Sequence, residues 1–138
     1  HDPQDHYFNL PPELKPRLKQ VAVLDVLINN ADRKGGHVLL DDDGHLWCID
    51  QGLCFHEQDK LRTVIWDFAG QSVPDNLLED IRNLLASLQP ESDMFLRLMQ
   101  LLSPVEISAL QRRCLQLLEH PTLPQYDPRK RLVPYPPL

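Results

Sequence analysis

Two carboxylates define the stretch from Leu24 to Phe55, LDVLINNADRKGGHVLLDDDGHLWCIDQGLCF. Asp32 lies in the polar loop NADRKGGH, which follows an apolar segment with helical spacing. Asp50 follows the apolar run LWCI and precedes Gly52. In phosphoryl-transfer sites a carboxylate on a loop orients the attacking hydroxyl, and a second one holds a metal on the nucleotide phosphates. The pattern therefore favours an ATP-dependent phosphotransferase.

The same stretch resembles the catalytic region of the phosphatidylinositol 3-/4-kinase superfamily, and is most similar to type II phosphatidylinositol 4-kinases and their bacterial relatives. In that family a helix ends in a D-R loop, a hairpin follows, and an I-D-x-G element closes the site. Here these pieces read LDVLINNADRKGGH, VLLDDDGHLW and CIDQGLCF. The resemblance implies that Asp32 is the catalytic carboxylate, with Arg33 beside it, and that Asp50 binds the metal.

One position departs from the family pattern. The family usually has an asparagine five residues after the catalytic aspartate, as a second metal ligand, and this chain has His37 there. A neutral imidazole binds divalent metals but suits Mg²⁺ less well than oxygen ligands do. The resemblance thus implies ATP with Mg²⁺ or Mn²⁺ at Asp50 and His37, and an alcohol acceptor that is a lipid, an inositol-like compound or a protein.

The rest of the loop supplies further candidates. Arg33, if turned inward, would stabilise charge on the transferred group. Lys34 would contact substrate or phosphate, and Asn30 would bind there or brace the loop through its amide. Each assignment has a structural rival: Asp32 and Arg33 as a loop salt bridge, Asp50 as a turn cap, and His37 as a spacer.

A complete kinase also needs a loop that covers the phosphates and a strand lysine that contacts them. Neither is found in this sequence, which has five glycines and only one adjacent pair. We therefore expect the C-terminal lobe of a larger enzyme, with the small lobe on its N-terminal side. The alternatives are a pseudokinase-like module that binds nucleotide or a partner without turnover, and an unrelated helical interaction domain.

Size and composition set broad limits. A chain of 138 residues and 16.0 kDa corresponds to one domain. Its net charge of −6 and pI near 5.4 argue against non-specific nucleic-acid binding, and no apolar run approaches the roughly 20 residues that span a membrane. Three cysteines without C-x-x-C spacing are expected to be free thiols, which favours a cytoplasmic location.

Hydrophobic periodicity predicts an α+β, mostly helical fold. Residues 1–12 are expected to be a linker, residues 13–120 a kinase-like C-terminal lobe, and residues 121–138 an extended proline-rich tail. Within the lobe, helices are predicted at 13–31, 74–88, 91–102 and 103–119, with an Asp-Gly hairpin between apolar runs at 38–40 and 46–49. The first helix should bury Leu14, Leu18, Val21, Leu24, Leu27 and Ile28.

Some residues leave two interpretations open. Asp25, near the end of the first helix, is either a solvated side chain, which is favoured, or a support for the catalytic loop. Asp41, Asp42 and Asp43 favour a solvated turn over a calcium loop, whose ligands alternate. The tail, with its basic cluster Arg129-Lys130-Arg131, is either wrapped on the domain surface or a contact for an acidic partner or membrane.

Overall fold

The computed structural model describes residues 6–138. The fold is α+β and mostly helical, as predicted, with one two-stranded antiparallel sheet. In chain order the elements are α1 (Lys15–Ile28), β1 (Val38–Leu40), β2 (Leu46–Cys48), α2 (Asp75–Ser87), α3 (Asp93–Leu98) and α4 (Pro104–Glu119).

Helix α1 lies at the centre of the molecule and is buried on more than one side. Leu18, Val21 and Leu27 are buried as predicted, but Leu24 is 42% exposed, and Asp25 is buried in its place. The helix ends three residues before the predicted limit because Asn29 adopts a left-handed conformation (φ 56°), and its N–H is bonded to the Asp25 and Val26 carbonyls. The turn to the loop that carries Asp32 therefore begins at Asn29.

The hairpin has the predicted position and a register that pairs Val38 with Cys48 and Leu40 with Leu46. Its turn is organised by Asp41, whose carboxylate accepts hydrogen bonds from the backbone N–H groups of Asp43 and His45 and from Trp47 Nε1. The Trp47 bond is the main cause of a lowered Asp41 pKa. Gly44 supplies the positive φ of 79° that the turn needs. This geometry confirms a turn rather than a calcium loop.

The C-terminal half is a set of packed helices. Helices α2 and α4 pack on each other, and α4 also packs on α1. Ser103 and Glu106 form the predicted capping box at the start of α4. Helix α3 is shorter than the predicted 91–102 because Ser92 caps its start and the chain turns after Leu98. No helix within residues 6–138 combines the length and apolarity that crossing a membrane requires.

The ends of the described chain pack against this core. The tail runs along the domain, with Leu123 buried and the Leu132 carbonyl accepting from the Thr63 N–H. This confirms the wrapped conformation. At the other end, Tyr7 packs on the core and its hydroxyl donates a hydrogen bond to Asp67. Of the linker predicted at residues 1–12, residues 6–12 therefore pack on the lobe, and residues 1–5 lie outside the described residues.

Cys48, Cys54 and Cys114 are free thiols, as predicted. Burial raises the pKa of all three, to about 11 for Cys54 and Cys114. Because the thiolate is the nucleophilic form, these side chains are poor nucleophiles and poor metal ligands at neutral pH.

Candidate active site

A fully buried ion pair holds the loop that carries Asp32 on helix α1. Arg33 Nε and Nη2 each donate to the Asp25 carboxylate over 2.9 Å, and the two side chains are 0% and 1% exposed. Burial alone would lower the pKa of the Arg33 guanidinium, but the bonds to Asp25 outweigh it, and the pKa is raised. Such a two-pronged pair fixes the direction of both side chains. Asp25 therefore supports the loop, and the favoured prediction of a solvated side chain is wrong.

Asn30 connects this pair to Asp32. Its amide nitrogen donates to Asp25 Oδ1 over 3.2 Å, and its amide oxygen accepts from the Asp32 backbone N–H over 3.0 Å. Asn30 is fully buried. The Asp32 side chain is half-buried, and its carboxylate has no hydrogen-bond partner among the described residues. The backbone of Asp32 is thus held while its carboxylate stays available.

The loop backbone is also anchored from the other side. Arg33 N–H donates to the Arg62 carbonyl and Val64 N–H donates to the Arg33 carbonyl, both over 3.0 Å, forming a parallel bridge between Arg33 and Thr63. The Arg62 N–H donates to the Asn30 carbonyl. These hydrogen bonds pair backbone N–H and C=O groups of the loop, as the bonds to a neighbouring strand would. They give an irregular segment a defined path.

The hairpin register brings the second carboxylate to the loop. Ile49 N–H donates to the His37 carbonyl over 2.9 Å, so Asp50 follows directly beside His37. The imidazole links the two aspartates: Nδ1 lies 3.0 Å from the Asp32 carbonyl, and Nε2 lies 3.2 Å from Asp50 Oδ2. The imidazole is therefore the physical connection between the loop of Asp32 and the end of β2.

Asp50 has an unusual backbone. Its φ is 60°, in the left-handed region, where aspartate and asparagine are the most tolerated residues after glycine. Its side chain is 66% exposed. The conformation turns the chain sharply after β2, and it leaves the carboxylate open to solvent beside His37.

The predicted site residues thus divide into two groups. His37 contacts the backbone carbonyl of Asp32 and the carboxylate of Asp50, and Lys34 is half-buried at the start of the short turn Gly35–His37. Arg33 and Asn30 are fully buried and bonded to Asp25, so in this arrangement neither side chain is open to a nucleotide or acceptor. Burial explains the difference, because a guanidinium already bonded to Asp25 has no atom exposed to a bound phosphate.

Two contributors were not among the predicted site residues. Asp25 is the partner of Arg33, and the side-chain amide of Gln51 lies within 3.3 Å of the same guanidinium. The Ile49 carbonyl accepts from Arg33 Nη1 over 3.3 Å. The one sequence signal for Asp25 is its place among apolar neighbours on a helix, where an unpaired carboxylate would be costly.

The donor set fits a hard divalent cation only in part. Among residues 6–138, no cluster of three or more His, Cys, Asp or Glu side chains is placed to hold a metal. Asp50 and His37 bring two donor atoms within 3.2 Å of each other. Mg²⁺ in phosphoryl-transfer sites keeps several waters and takes one or two protein ligands, with substrate phosphates as the others. Two donors are therefore enough for a cation that arrives with a nucleotide.

Comparison with known proteins gives one family match and one related protein. The family described as "Phosphatidylinositol 3- and 4-kinase" matches residues 3–120. The chain is 42% identical over 120 residues to "Protein Rv2133c" of Mycobacterium tuberculosis, a match that covers 87% of this chain and 42% of that protein. No solved structure is significantly similar. With a family match over most of its length, the chain belongs to the phosphatidylinositol 3- and 4-kinase family.

Proposed function

We propose that this protein transfers the γ-phosphoryl group of ATP to an alcohol acceptor, with Asp32 and Asp50 as its two working carboxylates. One observation carries the proposal: His37 bridges the Asp32 carbonyl and the Asp50 carboxylate, so that both residues belong to one surface. Membership of the kinase family supports the reaction class. The chain spans 42% of the length of the relative it matches, and a small lobe would have to come from outside these 138 residues.

Asp32 is the residue that receives the acceptor. Its carboxylate has no partner among the described residues, while its backbone is held by Asn30 and by His37. An unpartnered carboxylate can accept a hydrogen bond from the acceptor hydroxyl and orient its oxygen toward phosphorus. The buried Asp25–Arg33 pair keeps this geometry fixed, which is the main contribution a protein makes to phosphoryl transfer.

Asp50 and His37 are the residues that would hold Mg²⁺ or Mn²⁺. When bound, such a cation neutralises charge on the nucleotide phosphates. His37 Nδ1 lies 3.0 Å from the Asp32 carbonyl and also accepts from the Lys34 N–H over 3.3 Å; a cation at Nε2 would select the tautomer in which Nδ1 carries the proton and donates it to the Asp32 carbonyl. This second hydrogen bond is how proteins usually orient a histidine ligand. Lys34 lies on the same loop, and its proposed role is to contact a phosphate.

The first test is the thermal stability of the full-length protein in the presence of ATP with Mg²⁺ or Mn²⁺. A ligand that binds the folded state must raise the melting temperature. We expect a metal-dependent rise that is lost in Asp50→Asn, a variant that keeps the left-handed backbone, and that survives in Asp32→Asn. Asp42→Asn, in the exposed hairpin turn, is the matched control for removing one negative charge.

Turnover separates the two aspartates. Asp32→Asn should reduce ATP-dependent transfer by at least about a hundredfold, as expected for loss of a positioned proton acceptor, while nucleotide binding stays near the parent value. If both Asp32→Asn and Asp50→Asn turned over ATP like Asp42→Asn, the assignment of the site would be wrong.

The unusual histidine gives a second test. His37→Asn restores the residue that the family usually has, and an oxygen donor suits Mg²⁺ better than imidazole does. We expect the ratio of Mg²⁺-supported to Mn²⁺-supported ATP binding to rise in His37→Asn. An unchanged ratio would mean that His37 is a spacer and not a ligand.

His37 also favours one alternative function. A nucleotide-binding module without turnover would show the metal-dependent stabilisation and no transfer to any acceptor. The three free thiols are compatible with a reducing cytoplasmic location, which we include in the proposal.

A further inference from the structure

A concave region lies apart from the proposed catalytic surface. It is a pocket of about 420 Å³ bounded by the end of α1, the segment 59–62, one side of α4 and the tail. Asp32, His37 and Asp50 are not among its lining residues. Its apolar walls include Trp66, whose Nε1 donates to the Leu132 carbonyl over 3.1 Å. The tail therefore closes one side of the pocket and is held there.

The pocket is positively charged in an acidic protein. Five of the chain's fourteen cationic side chains line it, namely Lys60, Arg62, Arg113, Lys130 and Arg131. Two carboxylates are also present, Asp59 and Asp127, and Asp127 is already paired with Arg129 over 3.1 Å.

Within residues 6–138 none of the four outer cations, Lys60, Arg62, Lys130 and Arg131, forms a salt bridge. Like charges gathered in a cleft repel each other, so their convergence is unfavourable without an anion.

Arg113 lies at the base of the pocket and is incompletely bonded. It is 5% exposed, and its Nε and Nη1 donate to the carbonyls of Leu27 (2.7 Å) and His56 (3.2 Å). Its Nη2 is buried and has no partner within the described part of the chain. Both acceptors are neutral. A buried guanidinium with an unused donor is costly unless an anion or another acceptor completes it.

From this cleft we infer a binding site for a phosphate-bearing ligand, either a free phosphorylated compound or the phosphate of a lipid headgroup. Guanidinium groups match phosphate oxygens through paired hydrogen bonds, and Lys60 and Lys130 add charge at the rim. The volume of about 420 Å³ accommodates a small phosphorylated molecule. The site is independent of the proposed phosphoryl transfer, since it shares no residue with the surface of Asp32 and Asp50.

The test is calorimetric titration of inorganic pyrophosphate into the full-length protein at low ionic strength, with a chelator to remove divalent metals. We expect saturable binding that weakens as salt is added, because exposed charges are screened. Trp66 fluorescence, measured in a Trp47→Phe background, should change over the same concentration range. Binding should persist in Asp50→Asn, which separates this site from the catalytic one.

The decisive variant is Lys130→Gln/Arg131→Gln, which changes two exposed tail residues and leaves Arg113 in place. It should weaken pyrophosphate binding by at least about tenfold. Arg82→Gln/Arg97→Gln removes the same charge from exposed positions on α2 and α3, and should bind pyrophosphate as the parent does. Where the parent binds pyrophosphate, equal binding by the two double variants would overturn the proposal.

A second arm distinguishes the sources of phosphate. Sedimentation with phosphatidylglycerol vesicles, lost in Lys130→Gln/Arg131→Gln but not in the control, would identify a lipid phosphate if pyrophosphate alone does not bind. Binding of pyrophosphate without vesicle association would identify a free compound. Absence of both would overturn the proposal, whatever the result of the ATP and metal titration.

Discussion

Two buried arginines in this protein are stabilised in opposite ways. Arg33 is bonded to a carboxylate on helix α1, and its pKa is raised. Arg113 has only neutral carbonyl partners and one unpartnered nitrogen, and burial together with the nearby Arg112 lowers its pKa. The difference shows that burial of a charged side chain does not define its role. The guanidinium of Arg33 is paired with a carboxylate of the chain, whereas that of Arg113 has no carboxylate partner among the described residues.

The largest expected effect is the loss of the Arg33 partner. Asp25→Ala leaves a buried, unpaired guanidinium and should lower the free energy of unfolding by about 3–5 kcal/mol. Urea denaturation measures this change, and Asp80→Ala, an exposed aspartate on α2, is the control, with an expected change within about 0.5 kcal/mol. A small effect of Asp25→Ala on the free energy of unfolding would mean that the carboxylate of Asp25 does not stabilise Arg33. The energetic contrast with Arg113 would then be lost.

A smaller effect on the free energy of unfolding is expected from Cys114, a buried thiol on α4. Burial raises the pKa of Cys114 to about 11 from an ordinary value of 9.0. The folded state therefore binds the proton more tightly than the unfolded state, so the stabilisation is complete below pH 9 and is lost as pH rises from 9 to 11. One thiol with this shift contributes on the order of 2–3 kcal/mol.

Urea unfolding across pH 8 to 11, a range that brackets these pKa values, tests the predicted loss of stability at alkaline pH. Cys114→Ala should show a shallower loss of stability with pH than the parent. Parallel curves for the two proteins would show that Arg113, the cation next to Cys114, offsets the effect of burial on the thiol.

The smallest effect concerns Arg113 itself. Arg113→Met removes two hydrogen bonds to carbonyls but also removes an incompletely bonded buried charge, so we expect a loss of about 1–2 kcal/mol in the free energy of unfolding. Pyrophosphate should stabilise the parent and not this variant. Arg112→Met is the adjacent control, since Arg112 is exposed and bonded to the Glu57 carbonyl. A loss as large as that of Asp25→Ala would remove the distinction between the two arginines.

Local signals predicted much of the fold. The Asp-Gly pair predicted the hairpin turn. The sequence Ser103-Pro104 with Glu106 predicted the start of α4. Both predictions succeed because these structures depend on hydrogen bonds within a few residues. The end of α1 was placed too late because the left-handed conformation of Asn29 is also stabilised by bonds from its side chain to the distant carbonyls of His56 and Gln58.

The site was predictable only as a set of candidate residues. Sequence placed Asp32, His37 and Asp50 on one loop and hairpin, and the register brings them together. Their chemical roles stay predictions. The Asp25–Arg33 pair depends on which way a loop arginine turns, which local pattern does not determine. The basic pocket joins residues from α1 to the tail, so no single stretch of sequence contains it.

The path of the tail has a consequence for how this protein is made. The carbonyl of Leu132 accepts from Thr63 N–H, and the carbonyl of Pro137 accepts from Gly35 N–H in the loop that carries Asp32. On the ribosome, these backbone partners emerge long after the loop that they complete. During synthesis the loop therefore lacks these hydrogen bonds until the tail has been made. Its unpaired backbone groups can form incorrect pairs in that interval.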